Sequence, residues 1–153
     1  MSSHKKRILL VEDDKDLCFL IKRRLSKYYN FIDVPDGEQA LKVLDSQSID
    51  LILSDWMMDN MDGISLCKSV KEKKEKSHIP FILMTVKNTI ADQLEGYNFG
   101  IDGFVGKPIN FELLKKKIDN FLSLKDDWFS HYANTYFIKE IESISDKEQK
   151  EFL

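Results

Sequence analysis

Five short apolar segments recur along this chain, and each is followed by a stretch whose apolar residues have helical spacing. Runs such as ILLV and LIL are apolar throughout, as strands buried on both faces require. Leu17, Ile21 and Leu25 follow the first run at four-residue spacing, with Leu20 alongside, which predicts a helix. The predicted strands are Arg7 to Val11, Phe31 to Val34, Leu51 to Ser54, Phe81 to Met84 and Gly103 to Val105. Strands that alternate with helices predict a parallel sheet covered on both faces.

Right-handed crossovers leave few ways to order five parallel strands. We predict the order 2-1-3-4-5, a doubly wound α/β fold of the flavodoxin-like type, whose switch point lies between strands one and three. Ligand sites in such sheets lie at the carboxyl ends of the strands. At that edge Glu12 and Asp13 follow strand one, Asp55 follows strand three, Thr85 ends strand four and Lys107 follows strand five. The sequence therefore predicts that three acids, a hydroxyl and a lysine meet there.

Glu12, Asp13 and Asp55 are predicted to form an acidic cluster that binds a cation. Two carboxylates ~5 Å apart repel by ~3 kcal/mol at an effective dielectric of ~20, and a cation relieves that repulsion. Mg²⁺ prefers oxygen ligands, so we expect Asp13 and Asp55 to bind it directly, Glu12 to act through water and the Met57 carbonyl to complete the protein ligands. Calcium is the weaker alternative because the chain has no EF-hand loop. The acids could instead cap the following helix, which is the favoured interpretation for Asp14.

The same edge carries groups suited to phosphoryl transfer. A carboxylate nucleophile such as Asp55 can form an aspartyl phosphate, while Mg²⁺ and the Lys107 ammonium neutralise the charge on the phosphoryl oxygens. Thr85 can donate a hydrogen bond to such an oxygen. We predict a cis Lys107-Pro108 bond, because that isomer costs only ~0.5 to 1 kcal/mol before proline and a fixed isomer would aim the lysine back over the strand ends. The structural alternatives are a strand-end cap for Asp55 and a surface position for Lys107.

Composition excludes several classes of function. The apolar share of 42% and the charged share of 32% are typical of a globular protein. Residues 123–153 hold four lysines and seven acids, so this segment accounts for the whole formal net charge of −3. The lack of an excess of positive charge argues against nucleic-acid binding by this domain. Cys18 and Cys67 fall in predicted helices without metal-ligand spacing, so we interpret them as ordinary residues of a reducing compartment. No apolar run approaches a membrane span and no signal peptide is evident, so we expect a cytoplasmic location without direct membrane contact, although a longer parent protein could be membrane-anchored.

Four motifs together resemble one known family. LLVEDD, LILSDWMMDNMDG, FILMT and GFVGKP, in this order over residues 5–123, closely resemble the receiver (CheY-like) domain of bacterial two-component response regulators. By that resemblance Glu12 and Asp13 match the acidic pair, Asp55 the phosphoacceptor, Thr85 the switch hydroxyl and Lys107 the family's lysine. Asp59 stands where the family often has proline, and Val86 is bulkier than the usual residue after the switch hydroxyl. Neither departure removes a chemical group.

The resemblance implies a partner, a cofactor and a switch. The phosphoryl donor would be a phosphohistidine on a histidine kinase or its phosphotransfer domain, and the cofactor Mg²⁺. Phosphorylation would attract Thr85 and leave space into which Phe104, at the position of the family's switch aromatic, can rotate. The fourth helix, fifth strand and fifth helix would then change as a face, which could also join two copies. The domain would be no enzyme beyond catalysing its own phosphorylation and dephosphorylation. Phe104 as a plain core or surface aromatic is the structural alternative.

Residues 124–153 form a second predicted region, outside the receiver at 5–123. Their aromatic cluster and acidic end resemble the linker that precedes an AraC-type helix-turn-helix domain in hybrid two-component sensors. By that resemblance residues 124–153 are a linker or the start of a truncated output domain, and DNA binding would belong to that output domain. The alternative is an extension that packs on the domain or on a second copy. Other enzyme classes on this architecture lack support, because the chain has neither a DxDx[TV] motif after its first strand nor a GxxxxGK[ST] loop.

Overall fold

The computed structural model describes residues 4–86 and 89–123, and within them five parallel strands form one sheet in the order β2-β1-β3-β4-β5. The strands are β1 (Arg7–Val11), β2 (Asn30–Val34), β3 (Leu51–Asp55), β4 (Phe81–Thr85) and β5 (Gly103–Gly106). The predicted flavodoxin-like strand order is confirmed. Each predicted strand agrees with the structure to within one residue at either end, because an apolar run buried on both faces marks its own limits.

Helices connect successive strands, and each of the first four begins at a polar cap. They are α1 (Lys15–Leu25), α2 (Gly37–Ser46), α3 (Gly63–Lys71) and α4 (Ile90–Asn98), and a fifth, α5, covers residues 111–123. The carboxylate of Asp14 accepts from the N–H groups of Asp16 and Leu17, so the helix-cap interpretation of Asp14 is confirmed. Gly100 follows α4 with φ +98°, a left-handed conformation that glycine adopts without steric cost and that commonly ends a helix.

The core lies between the sheet and its helices. Every residue of β3 and β4 is buried, and so are Ile8 to Val11 of β1. Cys18 and Cys67 are free and buried within α1 and α3, as ordinary helix residues would be. Leu20, predicted beside the buried stripe of α1, is instead 45% exposed. Cys18 is buried on α1 in addition to Ile21 and Leu25.

A cluster of polar groups ties the amino edge of the sheet together. The Lys71 ammonium donates to the carbonyls of Ser77 and Ile79 and to Asp102 Oδ2, at 3.1, 2.9 and 3.0 Å. Asp102 Oδ2 also accepts from the Phe81 N–H, the first of β4, at 2.8 Å. We call this set the amino-edge cluster. All three hydrogens of the Lys71 ammonium have protein acceptors, so the cluster joins α3 to the sheet with no donor left over.

The register of the sheet brings the predicted site residues to one edge. Val11 pairs with Ser54 across β1 and β3, so the residues that follow them, Glu12 and Asp55, are neighbours. Asp55 pairs with Met84, and Thr85 with Gly106. Each predicted site residue therefore stands at or just past the end of its strand, in a single row along the carboxyl edge.

The chain divides into two compact units, residues 1–118 and 119–153. Of the second unit the structure describes residues 119–123, which are helical. Our predictions for residues 124–153 lie outside the described residues. None of the helices in the described ranges has the length and apolar character needed to cross a membrane.

Candidate functional site: an acidic cluster closed by a lysine

Three carboxylates converge where the strand order reverses. Glu12, Asp13 and Asp55 each place a carboxylate oxygen within 4.8 Å of the others. Glu12 and Asp55 are 4% and 7% exposed, whereas Asp13 lies open to solvent. The Glu12 N–H continues the sheet by donating to the Val34 carbonyl at 3.0 Å, which fixes the backbone beneath its side chain. The predicted acidic cluster is present, with two nearly buried members and one accessible member.

Lys107 follows β5, an outermost strand of the sheet, and bridges two of these acids. Its ammonium lies 3.0 Å from Glu12 Oε1 and 3.0 Å from Asp55 Oδ1. The Lys107 N–H donates to the Thr85 carbonyl at 2.9 Å, and the Lys107-Pro108 bond is cis, as predicted. We call Glu12, Asp13, Asp55 and Lys107 the carboxyl-edge cluster. The alternative of a surface lysine is wrong, because Lys107 is partly buried and holds two acids.

The formal charges of this cluster do not cancel without a further cation. Burial raises the pKa of Glu12 above its ordinary value, although the Asp14 N–H and the Lys107 ammonium donate to its carboxylate and lower that pKa. Burial alone would lower the pKa of Lys107, but hydrogen bonds to Asp55 and Glu12 outweigh burial and raise it. The lysine is therefore charged at neutral pH. Three carboxylates against one ammonium leave two formal negative charges uncompensated.

The donor set fits a hard divalent cation. All the converging side-chain groups are carboxylates, the ligands that Mg²⁺ prefers, and the open position of Asp13 leaves room for an ion that keeps waters of its own. A charge of +2 would compensate the excess of the cluster. Met57 lies in the loop after β3 with its side chain 60% exposed, and its carbonyl as a ligand stays a prediction.

The loop after Asp55 is held by contacts that leave little freedom. The Gly63 N–H donates to the Trp56 carbonyl at 2.8 Å, and the Trp56 N–H donates to the Met84 carbonyl at 3.1 Å. A Cβ on Gly63 would lie 2.5 Å from the Asp55 carbonyl oxygen, so only glycine permits this approach. Ser54 donates its hydroxyl to that same oxygen at 2.8 Å. These contacts position the backbone of Asp55.

Thr85 and Phe104 lie beyond the acids, and both are buried. Thr85 is 3% exposed at the end of β4, and Phe104 is 8% exposed on β5. The Phe104 ring packs beside Trp56, with centroids 6.2 Å apart, and meets Tyr97 edge-on at 5.1 Å. The interpretation of Phe104 as a surface aromatic is therefore wrong. Val86, the bulkier residue that follows Thr85, is 71% exposed, so its side chain is largely in solvent.

Sequence reasoning did not place Trp56 or Gly96 beside Phe104. Trp56 follows Asp55 directly and is 3% exposed, which links the end of β3 to the Phe104 ring. Gly96 is buried in α4 against that ring. A glycine inside an otherwise helical pattern signals a packing reason, and this signal was available in the sequence. The burial of Trp56 had no comparable sign.

Comparison with known proteins agrees with this geometry. The family model of the response regulator receiver domain matches residues 8–119. The chain therefore belongs to the response regulator receiver domains, the CheY-like α/β modules of two-component systems.

The relatives carry the domain in different settings. Transcriptional regulatory protein YvrH of Bacillus subtilis is 33% identical over 138 residues, which is 89% of this chain and 53% of that protein. Histidine kinase P4 of Formosa agariphila is 34% identical over 134 residues, 88% of this chain and 10% of that protein. The solved receiver domain of a signal transduction histidine kinase from Syntrophus aciditrophicus has a TM-score of 0.72 at 32% identity, over 77% of this chain and 90% of that one. The chain thus spans about half or less of these two curated relatives.

Proposed function

We propose that this receiver domain accepts a phosphoryl group on Asp55 and passes the signal to a partner through its fourth helix, fifth strand and fifth helix. The observation that carries the proposal is the Lys107 ammonium, 3.0 Å from both Glu12 and Asp55 at the switch point of the sheet. A purely structural lysine would be expected to balance the charge around it. This one leaves an acidic excess beside a nucleophilic carboxylate.

Glu12, Asp13 and Asp55, with the carbonyl of Met57, would hold the Mg²⁺ ion. When bound, the ion neutralises the cluster and polarises the oxygens of the incoming phosphoryl group. Asp13 is the accessible member of the set. The backbone of Asp55 is held by the Ser54 hydroxyl, which donates to its carbonyl, and by its close contact with Gly63. The protein therefore offers one rigid carboxylate for chemistry and one open carboxylate for the cation.

In the reaction a carboxylate oxygen of Asp55 attacks phosphorus, and the phosphorus–nitrogen bond of a phosphohistidine breaks. The product is an aspartyl phosphate, and the imidazole leaves with the electron pair. Lys107 already contacts Asp55 Oδ1, so its ammonium is placed to follow charge from the carboxylate to the phosphoryl oxygens. Thr85, at the end of the next strand, would donate its hydroxyl to another of those oxygens.

The signal would leave the site through Phe104. Movement of Thr85 toward the phosphoryl group favours the inward position of the ring, packed beside Trp56. The outer face of α4 carries Ile90, Leu94 and Tyr97, which are 78%, 58% and 49% exposed. Such exposure of large apolar side chains supports a contact surface there, for an output module or a second copy of the chain.

The donor would be a histidine kinase or its phosphotransfer domain, and the output would be transcription. The relative named histidine kinase P4 supports a kinase as the donor, and the relative named transcriptional regulatory protein YvrH supports transcription as the output. DNA would be bound by an output domain, proposed to be of the AraC type, that follows residues 124–153. The receiver itself would turn over no free substrate beyond its own phosphorylation and dephosphorylation. A cytoplasmic location follows from these partners.

The test is intact mass after incubation with Mg²⁺ and acetyl phosphate. We expect the wild type to gain one phosphoryl mass and Asp55→Ala to gain none. Asp62→Asn is the matched control, because Asp62 caps α3 in the same loop and asparagine caps a helix equally well. It should gain the same mass as the wild type. No gain in the wild type, or an equal gain in Asp55→Ala, would refute the proposal.

A further inference from the structure

The tip of the Phe104 ring occupies the space that a side chain on Gly96 would need. A Cβ built on Gly96 would lie 2.4 Å from Phe104 Cζ, closer than any stable carbon contact. The two Cε atoms would be 3.1 and 3.5 Å from the same point. Gly96 is buried in α4, and Phe104 is 8% exposed on β5. Helix α4 and strand β5 therefore pack together with the tip of the Phe104 ring against Gly96.

The three distances also give the direction of the ring. Cζ is the nearest atom and both Cε atoms are farther by 0.7 to 1.1 Å, so the Cβ position lies beyond Cζ on the long axis of the ring. A tyrosine hydroxyl extends from Cζ along that same axis. It would meet the Gly96 backbone. The inward position therefore has room for neither a methyl group on residue 96 nor a hydroxyl on residue 104.

Both residue choices suit a buried apolar ring. Glycine disfavours a helix interior, so its presence in α4 needs a packing reason, and the ring tip supplies one. Phenylalanine leaves no hydroxyl to be satisfied in the core. Trp56 and Tyr97 line the ring at centroid distances of 6.2 and 5.1 Å. The ring thus lies between the residue next to Asp55 and a half-exposed residue of α4.

We propose that Gly96 is a positioning residue of the switch, which together with the absence of a hydroxyl on Phe104 creates the inward seat of the ring. Occupation of this seat couples Asp55 to the outer face of α4 through Trp56 and Tyr97. The packing claim stands on the geometry alone. The link to phosphorylation rests on the proposed function.

The packing claim is tested by a cycle of four proteins: wild type, Gly96→Ala, Phe104→Leu and the double variant. Leucine has no ring tip, so in the Phe104→Leu background Gly96→Ala should stabilise the protein, as helix propensity predicts. In the wild-type background the same change should destabilise it or expel the ring. Urea unfolding measures the sign, and nuclear Overhauser contacts between Phe104 and Trp56 report the ring position. An equal effect of Gly96→Ala in both backgrounds would overturn the claim.

The link to the switch is tested by beryllofluoride binding with Mg²⁺. Expelling the ring should weaken binding by about fivefold or more in Gly96→Ala and in Phe104→Tyr, because coupling between two sites is reciprocal. Gly106→Ala is the matched control, since a Cβ there meets no atom within 4 Å. It should bind as the wild type does. Wild-type affinity in both Gly96→Ala and Phe104→Tyr would overturn the inference.

The two proposals fail in different ways. If the wild type gains no phosphoryl mass, the proposed function is wrong, and the unfolding cycle still decides the packing claim. If the wild type gains mass while Gly96→Ala keeps the Phe104 to Trp56 contacts and binds beryllofluoride normally, the seat is wrong and the proposed function stands.

Discussion

Two lysines tie opposite ends of the same sheet, and their surroundings differ in one respect. At the amino edge, Lys71 meets one carboxylate and two carbonyls, so its ammonium has a full set of acceptors and the formal charges cancel. At the carboxyl edge, Lys107 meets two carboxylates with a third nearby. The first arrangement is complete without any ligand. The second has an excess of negative charge that a divalent cation would compensate, so the two lysines differ in whether their surroundings are electrically complete.

The largest expected difference between the two edges is their response to Mg²⁺. A ligand that binds only the folded state at one hundred times its dissociation constant stabilises it by about 2.7 kcal/mol. We expect the free energy of unfolding of the wild type to rise by that amount and the rise to vanish in Asp55→Asn. Asp102→Asn, at the amino edge, should keep the full rise. Urea titrations with and without Mg²⁺ decide this, and an equal loss in both variants would contradict the contrast.

The amino-edge cluster should matter most for stability without any ligand. Asp102→Ala leaves the Phe81 N–H without its acceptor and Lys71 without its counter-ion, so we expect a loss of about 1 to 3 kcal/mol in the free energy of unfolding. Asp45→Ala is the matched control, because that carboxylate pairs with Lys73 at 3.4 Å but is 69% exposed. It should cost less than about 0.5 kcal/mol. Similar losses in the two variants would remove the structural role of Asp102.

The carboxyl edge of the sheet could be predicted from the sequence, whereas the amino-edge cluster and the packing of Phe104 could not. The strand order and the row of site residues were predictable, because burial on both faces and parallel pairing bring Glu12, Asp55 and Lys107 to one edge whatever their rotamers. The amino-edge cluster was not, because nothing in the sequence KEKKEKSHIP distinguishes Lys71 from its solvated neighbours. The contact of Phe104 with Gly96 depends on a rotamer and on how closely α4 approaches the sheet, which only tertiary packing decides. In α5 the adjacent residues Leu113 and Leu114 are 48% and 0% exposed, a difference that also depends on how the helix packs.

The buried thiols provide a pH measurement at each edge. Burial raises the pKa of Cys67, near Lys71, to about 12 and that of Cys18, near Glu12, to about 11. A raised pKa in the folded state means that the unfolded chain loses its proton first, so the stabilisation is complete below about pH 9 and is lost as the pH rises toward those values. We expect each thiol to contribute a decline of about 1.4 kcal/mol per pH unit above pH 9.

Cys67→Ala and Cys18→Ala should each flatten that decline. The Cys67 contribution should extend about one pH unit further, because its pKa is about 12 rather than about 11. Urea unfolding at pH 8, 9, 10, 11 and 12 gives the slopes, and the constant cost of the lost side chain does not affect them. A wild-type slope unchanged in both variants would show that neither thiol stays protonated in the folded state.

The smallest expected effect concerns the open member of the carboxyl-edge cluster. Without Mg²⁺ and at low salt, Asp13→Asn removes one like charge from beside Glu12 and Asp55, so we expect stability to rise by less than about 1 kcal/mol. Salt should reduce this gain, because exposed charges are screened. Thermal unfolding at two ionic strengths measures it. Destabilisation by Asp13→Asn would mean that the cluster carries no net repulsion.

The alignment of the site along one row of strand ends separates two kinds of sequence change. Glu12, Asp55 and Lys107 are placed by the register of their strands, whereas the amino-edge turns lie at the opposite ends of those strands. Insertions in those turns would lengthen surface loops at little cost, while one residue added within a strand would turn its side chains to the opposite face. The exposed positions of the amino-edge turns, away from Lys71, Asp102 and the buried Tyr29 and Ile49, are therefore the natural places to graft a tag or a binding loop onto this domain.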